Sequence, residues 1–264
     1  MLKRNLVLFL LVISLLLLST IAFASNSNID KSQLENGLVT ITYIPKKDVA
    51  AKVMITKGDI KYTYDIKANN SYPLQLGDGK YTVSILENVE GNKYRQVEKE
   101  EINLKLSDAN KVFLQSNQII NWNENMEAMK KAKELAKNAK NDKEKVIAIY
   151  NFIINNISYD NDKAASVQAG YIPSIDIILK ASKGICYDYA TLFAAMLRSL
   201  DVPTKLVMGR KNDVEAYHAW NQVYLEDSKE WVTIDTTYDA ALKKENAASS
   251  MIKDEKEYKI EKQY

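Results

Sequence analysis

Lys183-Gly184-Ile185-Cys186-Tyr187-Asp188-Tyr189-Ala190 leads into an apolar run in which Leu192, Phe193, Met196, Leu197 and Leu200 fall on one helical face. Gly184 marks the start of that helix, where the backbone has to turn sharply. Cys186 then lies in the first turn of a largely buried helix. Unpaired backbone N–H groups and the helix dipole meet there, so a thiolate is stabilised. The same donors suit the oxyanion of a tetrahedral intermediate. Asp188 also suits the dipole and reads as structural. A lone cysteine fits a buried, inert thiol as well, and its place on one helix does not separate the two readings.

Two segments downstream bear on that choice. After a β-type run from Thr204 to Gly209 comes Tyr217-His218-Ala219-Trp220-Asn221-Gln222-Val223-Tyr224-Leu225. As a strand it sets His218, Trp220, Gln222 and Tyr224 on one face and Val223 and Leu225 on the other. A polar, aromatic face around a histidine is unusual for a core strand, although a satisfied structural histidine is the alternative. Glu230-Trp231-Val232-Thr233-Ile234-Asp235 follows the polar loop Asp227-Ser228-Lys229. Antiparallel pairing about that loop places His218 opposite about Tyr238, a few residues from Asp235. An ionised Asp235 there orients the imidazole and stabilises the imidazolium. A turn-forming aspartate ahead of Thr236-Thr237 is the other reading. Together, Cys186, His218 and Asp235 supply nucleophile, base and orienter, the catalytic residues expected of this chain.

Composition narrows the chemistry. The chain has 264 residues with one Cys and one His. One Cys leaves no intramolecular disulfide. One His excludes zinc sites that need two imidazoles, so neither a metal nor a cofactor is expected. Asp160-Asn161-Asp162 lacks the glycine and later glutamate of a calcium loop and reads as a polar turn. At the start, Lys3 and Arg4 precede an apolar run from Leu6 to Phe23 that ends in Ala22-Phe23-Ala24. That is the pattern of a secretory signal peptide over 1–24, with an uncleaved membrane anchor as the alternative. Cleavage removes two of the 36 basic residues, and the remainder balance the 34 acidic ones. The basic excess therefore argues for no nucleic-acid partner. No stable membrane insertion is expected after cleavage, and the protein is read as secreted or cell-wall associated.

The remainder divides into unlike halves. From about Asn36 to Leu106 the pattern has period two, in runs such as Leu38–Tyr43, Ala51–Thr56, Ile60–Ile66, Tyr81–Leu86 and Glu98–Leu106. Asn69-Asn70 and Gly77-Asp78-Gly79 read as turns between them. Such short strands predict a small β-sandwich of immunoglobulin-like type over 25–117, a spacer or binding module. The pattern changes near Asn117. Met126, Met129, Ala132, Ala136 and Ala139 make one helical stripe, opposite a solvated lysine-rich face. A second helix runs from Asp142, as its N-cap, through Val146, Ile149, Tyr150 and Ile153 to Asn155-Asn156.

With G-I-C-Y-D-Y-A-T-L-F-A-A-M-L-R-S-L, P-T-K-L-V-M-G, Y-H-A-W-N-Q-V, W-V-T-I-D-T-T-Y-D and I-S-Y-D in this order, the stretch from about Ile147 to Asp239 resembles the transglutaminase-like superfamily of bacterial secreted proteins. The resemblance implies an α+β fold class for the chain. Its N-terminal β-sandwich is followed, over 118–264, by a papain-like core with the Cys helix packed on an antiparallel sheet bearing His and Asp. It also implies Cys186 as nucleophile, His218 as base, Asp235 as orienter and a thioester intermediate. Family members cross-link, deamidate or hydrolyse amides, so the implied partner is a protein or peptide substrate, extracellular or in the cell wall. Animal members use a Trp ahead of the Cys helix to assist the oxyanion. None lies between Trp122 and Cys186 here, and Tyr159 or Tyr171 is the candidate substitute. A cell-wall peptide hydrolase and an inactive binding or adhesion module are the other readings.

Overall fold

The computed structural model describes residues 27–67 and 70–264. The signal-peptide reading over 1–24 lies outside the described residues. Seven strands come first: β1 (Ile29–Asp30), β2 (Leu38–Ile41), β3 (Ala51–Lys57), β4 (Ile60–Asp65), β5 (Asn70–Pro73), β6 (Gly79–Glu90) and β7 (Lys93–Leu104). They form two antiparallel sheets, ordered β1-β2-β5 and β4-β3-β6-β7. Period-two alternation turns Val53 and Ile55 of β3 inward with Val83 and Ile85 of β6, and these join Val39, Ile41 and Tyr72 of the smaller sheet in one apolar cluster. Of the turn expected at Asn69-Asn70, Asn69 lies outside the described residues; Asn70 N donates to Lys67 O at 3.1 Å, and Asn70 begins β5, which pairs with β2 from Ile41↔Asn70 to Leu38↔Pro73. Pro73 closes this strand at the sheet edge, where its missing N–H leaves no ladder bond unmade.

The elements that follow are α1 (Glu127–Leu135), α2 (Asp142–Asn156), β8 (Ser158–Tyr159), α3 (Asn161–Ser166), α4 (Ile175–Ala181), β9 (Lys183–Gly184) and α5 (Cys186–Arg198). After them come β10 (Thr204–Lys211), β11 (Val214–Leu225), β12 (Glu230–Ile234), α6 (Thr236–Lys244), β13 (Ile252–Lys253) and β14 (Tyr258–Gln263). The larger sheet here is antiparallel in the order β13-β12-β11-β10-β14. Every residue of α5 from Asp188 to Arg198 is buried, because the helix is apolar nearly all round and sits between this sheet and α1, α2, α4 and α6. The whole is a mixed α and β architecture with antiparallel sheets.

Three local expectations change. The first helix stops at Leu135, short of the stripe that runs on to Ala139. Asn141 rather than Asp142 caps α2, its Oδ1 accepting from Glu144 N at 2.9 Å. Asp160, read as part of a polar turn, is the N-cap of α3 and accepts from Lys163 N at 3.0 Å. A short carboxylate offers the same local hydrogen bonds to a turn and to a helix start, so the two are indistinguishable in sequence. Between the two apolar clusters, Ile119 and Tyr264 pack against both. The Tyr264 backbone pairs with Leu206, and its ring stands edge-on to Tyr62 with centroids 5.4 Å apart.

Candidate active site

Ile185, in extended conformation, is the N-cap of α5, and Cys186 is its first helical residue. Asp188, fully buried, holds this end: its Oδ2 accepts from Ile185 N at 2.8 Å and from Lys163 Nζ at 2.6 Å, while Oδ1 accepts from Tyr171 Oη at 2.6 Å. A carboxylate so paired complements the dipole and satisfies an orphan N–H of the helix start. Gly184 is required for space and not for a left-handed turn. A Cβ there would lie 2.6 Å from Asp188 Cβ. Parallel pairing of β8 with β9 sets Tyr159 beside Gly184, two residues before the cysteine. Burial, then the charges of Cys186 and Asp188, pushes the Tyr159 hydroxyl above its ordinary range. Of the two tyrosines that sequence offers near the thiol, Tyr171 is engaged by Asp188, whereas Tyr159 is partly exposed beside Cys186.

His218 lies on β11 opposite Gly209 of β10. It is buried, and its ring stacks on Trp220 with centroids 6.1 Å apart. Its Nε2 is 2.7 Å from Asp235 Oδ2, which leaves Nδ1 to serve Cys186. Asp235 is fully buried and doubly used. Its Oδ1 caps α6 by accepting from Tyr238 N at 3.0 Å, and its Oδ2 also accepts from Tyr258 Oη at 3.2 Å. The turn-forming and orienting roles are therefore both present in one side chain. Burial opposes charge on the imidazole, but the hydrogen bonds and charges of Asp235 and Cys186 outweigh it and push His218 up to about 10. An imidazolium that persists at neutral pH is the natural counter-ion of a thiolate.

The register differs by one from the symmetric pairing read in sequence. β11 ends at Leu225 and β12 begins at Glu230, so the loop has four residues and Asn221 faces Ile234. The ladder stops there. Asp235 reaches His218 as the cap of the next helix and not as a cross-strand partner.

Two positioning groups escape the sequence reading. Asn221 Nδ2 donates to Ala190 O and to Lys205 O, both at 3.0 Å, which ties the histidine strand to the cysteine helix and to β10. Tyr258 is delivered by β14, which pairs with β10 so closely at Gly209 that a Cβ there would lie 2.0 Å from Lys259 O. Tyr258 and Ile260, two apart in an otherwise polar stretch, are too short an alternation to mark this last strand. A cleft of about 560 Å³, lined among others by Tyr159, Tyr189 and Thr237, runs between α2–β8 and α6. Among the described residues, no group of three or more His, Cys, Asp or Glu side chains is arranged to hold a metal ion, and no helix is long and apolar enough to cross a membrane.

Residues 129–236 match the model of the transglutaminase-like superfamily. Kyphoscoliosis peptidase of Mus musculus is 33% identical over 119 residues, covering 41% of this chain. The chain spans only 18% of the length of that curated relative. A TGase crystal structure is 23% identical with a TM-score of 0.34, over 42% of this chain and 29% of that one. The periplasmic domain of TgpA from Pseudomonas aeruginosa, bound to ethylmercury, is 14% identical with a TM-score of 0.41, over 74% of this chain and 92% of that one.

Proposed function

We propose, from the membership of residues 129–236 in the transglutaminase-like superfamily, that this chain is a thiol-dependent acyl-transfer enzyme acting on protein or peptide amides through Cys186, His218 and Asp235. The observation that carries the reading is the buried 2.7 Å contact of His218 with Asp235, beside a cysteine that begins a buried helix. The thiolate attacks the amide carbon and forms a C–S bond, and the carbonyl oxygen takes the charge toward the N–H groups of the first turn of α5. Collapse breaks the C–N bond, and the imidazolium proton leaves with the amine, or with ammonia when the amide is a glutamine side chain. An incoming amine or water then attacks the thioester, gives its proton to the neutral imidazole and releases the thiolate. Asp235, held by three donors, fixes the ring throughout.

The basic, apolar and Ala22-Phe23-Ala24 pattern supports export, so the mature chain begins at Ser25 and meets its substrate outside the cell or at the wall. Its first seven strands, in sheets of three and four, are read as an immunoglobulin-like spacer or binding module, with the boundary near Asn117 supported by separate apolar clusters on either side. The deciding experiment incubates the protein with a glutamine-containing protein and a labelled primary amine, following label, ammonia and new N-termini together. Incorporation means transfer, ammonia without label means deamidation, and new N-termini mean proteolysis. Absence of all three, or the same yield from Cys186→Ala, sinks the proposal. Alkylation of Cys186 at the rate of a free thiol in neutral solution would favour a binding module instead.

A further inference from the structure

We infer, resting on the acyl-transfer reading above, that the cleft between α2–β8 and α6 is the subsite for the substrate segment that flanks the reactive amide, and that it selects an acidic side chain there. The cleft encloses about 560 Å³, enough for two or three residues of an extended peptide. Its position follows from the chain. Tyr159 pairs with Gly184 just ahead of Cys186, Tyr189 lies one turn into the same helix, and Thr237 follows Asp235 by two residues. The cleft therefore shares a wall, Tyr159, with the thiol and is lined by chain neighbours of Cys186 and of Asp235, although neither of those side chains lines it.

The lining has the chemistry of a peptide site. Ile154, Ile157 and Ala240 give an apolar floor. Thr237 is 9% exposed, and its Oγ1 is buried with no hydrogen-bond partner. A buried hydroxyl without a partner is uncommon, and rotation of the Thr237 side chain toward the cleft it lines would bring it to a peptide N–H or C=O. At the far end Lys243 and Lys244 line the cleft, and Glu245 is the only carboxylate among its lining residues. Two ammonium groups against one carboxylate favour a substrate Asp or Glu over Lys at that distance from the amide.

The test uses glutamine peptides in matched pairs, identical but for Glu or Lys at each of three positions on either side of the glutamine. On one side the Glu peptide is expected to show about a fivefold higher kcat/KM, and Lys243→Glu with Lys244→Glu is expected to reverse that ratio. A ratio near one, or one that the double variant leaves in place, overturns the proposal. Because the ratio is internal, partial loss of folding does not move it. Thr237→Val is expected to raise KM about fivefold with little change in kcat, and Thr237→Ser to restore it. Equal KM in all three proteins, or equal loss in Val and Ser, removes the hydrogen bond from the account. Binding of the same peptides to Cys186→Ala, read by fluorescence anisotropy, separates this inference from the one beneath it. Charge-dependent binding to Cys186→Ala, together with no amide turnover by the parent protein, sinks acyl transfer and keeps the cleft. Turnover without charge preference does the reverse, and neither binding nor turnover sinks both.

Discussion

The strand-built region before residue 105 and the helix-and-strand region after it treat buried polar groups in opposite ways. In the first, Tyr72 and Tyr81 are apolar bodies with local hydroxyl partners: Tyr72 donates to Asp65 O, and Tyr81 donates to Leu74 O and Gly77 O. Glu87, paired with Arg95, is the one buried charged side chain among that region's described residues. In the second, Asp188, Arg198, Lys211, His218, Asp235 and Asp239 are all nearly or fully buried. Buried charge is expensive unless it is paired and hydrogen-bonded, and each of the three aspartates has two or more partners. A fold that only had to pack would not need them. Three of them, Asp188, His218 and Asp235, lie at the start of α5, on β11 and at the cap of α6, and such a cluster is where chemistry is to be expected.

The strongest way to break this contrast is at the thiol. Cys186→Ala is expected to lower amide turnover by about 1,000-fold or more while leaving the denaturation midpoint nearly unchanged, since a small side chain replaces a partly buried one. Turnover within tenfold of the parent would detach the charged cluster from catalysis. Next in size, Asp188→Ala is expected to lose about 3 kcal/mol in urea denaturation, because it leaves Lys163 and the Ile185 N–H unpaired at a buried helix end. A loss no greater than that of an exposed ion pair would mean that the carboxylate is dispensable to the fold.

Titration of His218 sharpens the contrast further. Its imidazolium is favoured in the folded chain, so the stability it adds is complete below the ordinary histidine value of 6.5 and fades as pH rises through about 10. Stability is expected to fall between about pH 7 and about pH 10, and kcat/KM to fall on the same alkaline limb. Asp235→Asn should move that limb to lower pH, and an unmoved limb would assign it to another group. The smallest effect compares like with like. Tyr81→Phe and Tyr258→Phe each remove a hydroxyl bond and are expected to lose about 1 kcal/mol. Only Tyr258→Phe should also alter kcat/KM, because its hydroxyl meets Asp235 Oδ2 and that of Tyr81 meets only backbone groups, the Leu76 N–H and the Leu74 and Gly77 carbonyls. Equal activity in both variants would erase the distinction between the two regions at this position.

By itself the sequence determined what local pattern can determine. It put Cys186 in the first turn of a largely buried helix, His218 on a strand and Asp235 at a strand end, since periodicity and helix-end chemistry act over a few residues. It also located the strands around Val53 and Val83, where alternation meets one buried face. Local pattern did not reveal β14, the parallel pair of β8 and β9, or the one-residue difference in register that makes Asp235 a helix cap. Those depend on partners far apart in the chain: Tyr258 reaches Asp235 only because β14 adds to β10, and Gly209 permits it only because no side chain stands between them. Tertiary structure decided that the imidazole and the carboxylate meet at 2.7 Å in a buried contact near the partly buried thiol. Long-range strand pairing and the packing of α5 fix distances that no sequence spacing contains.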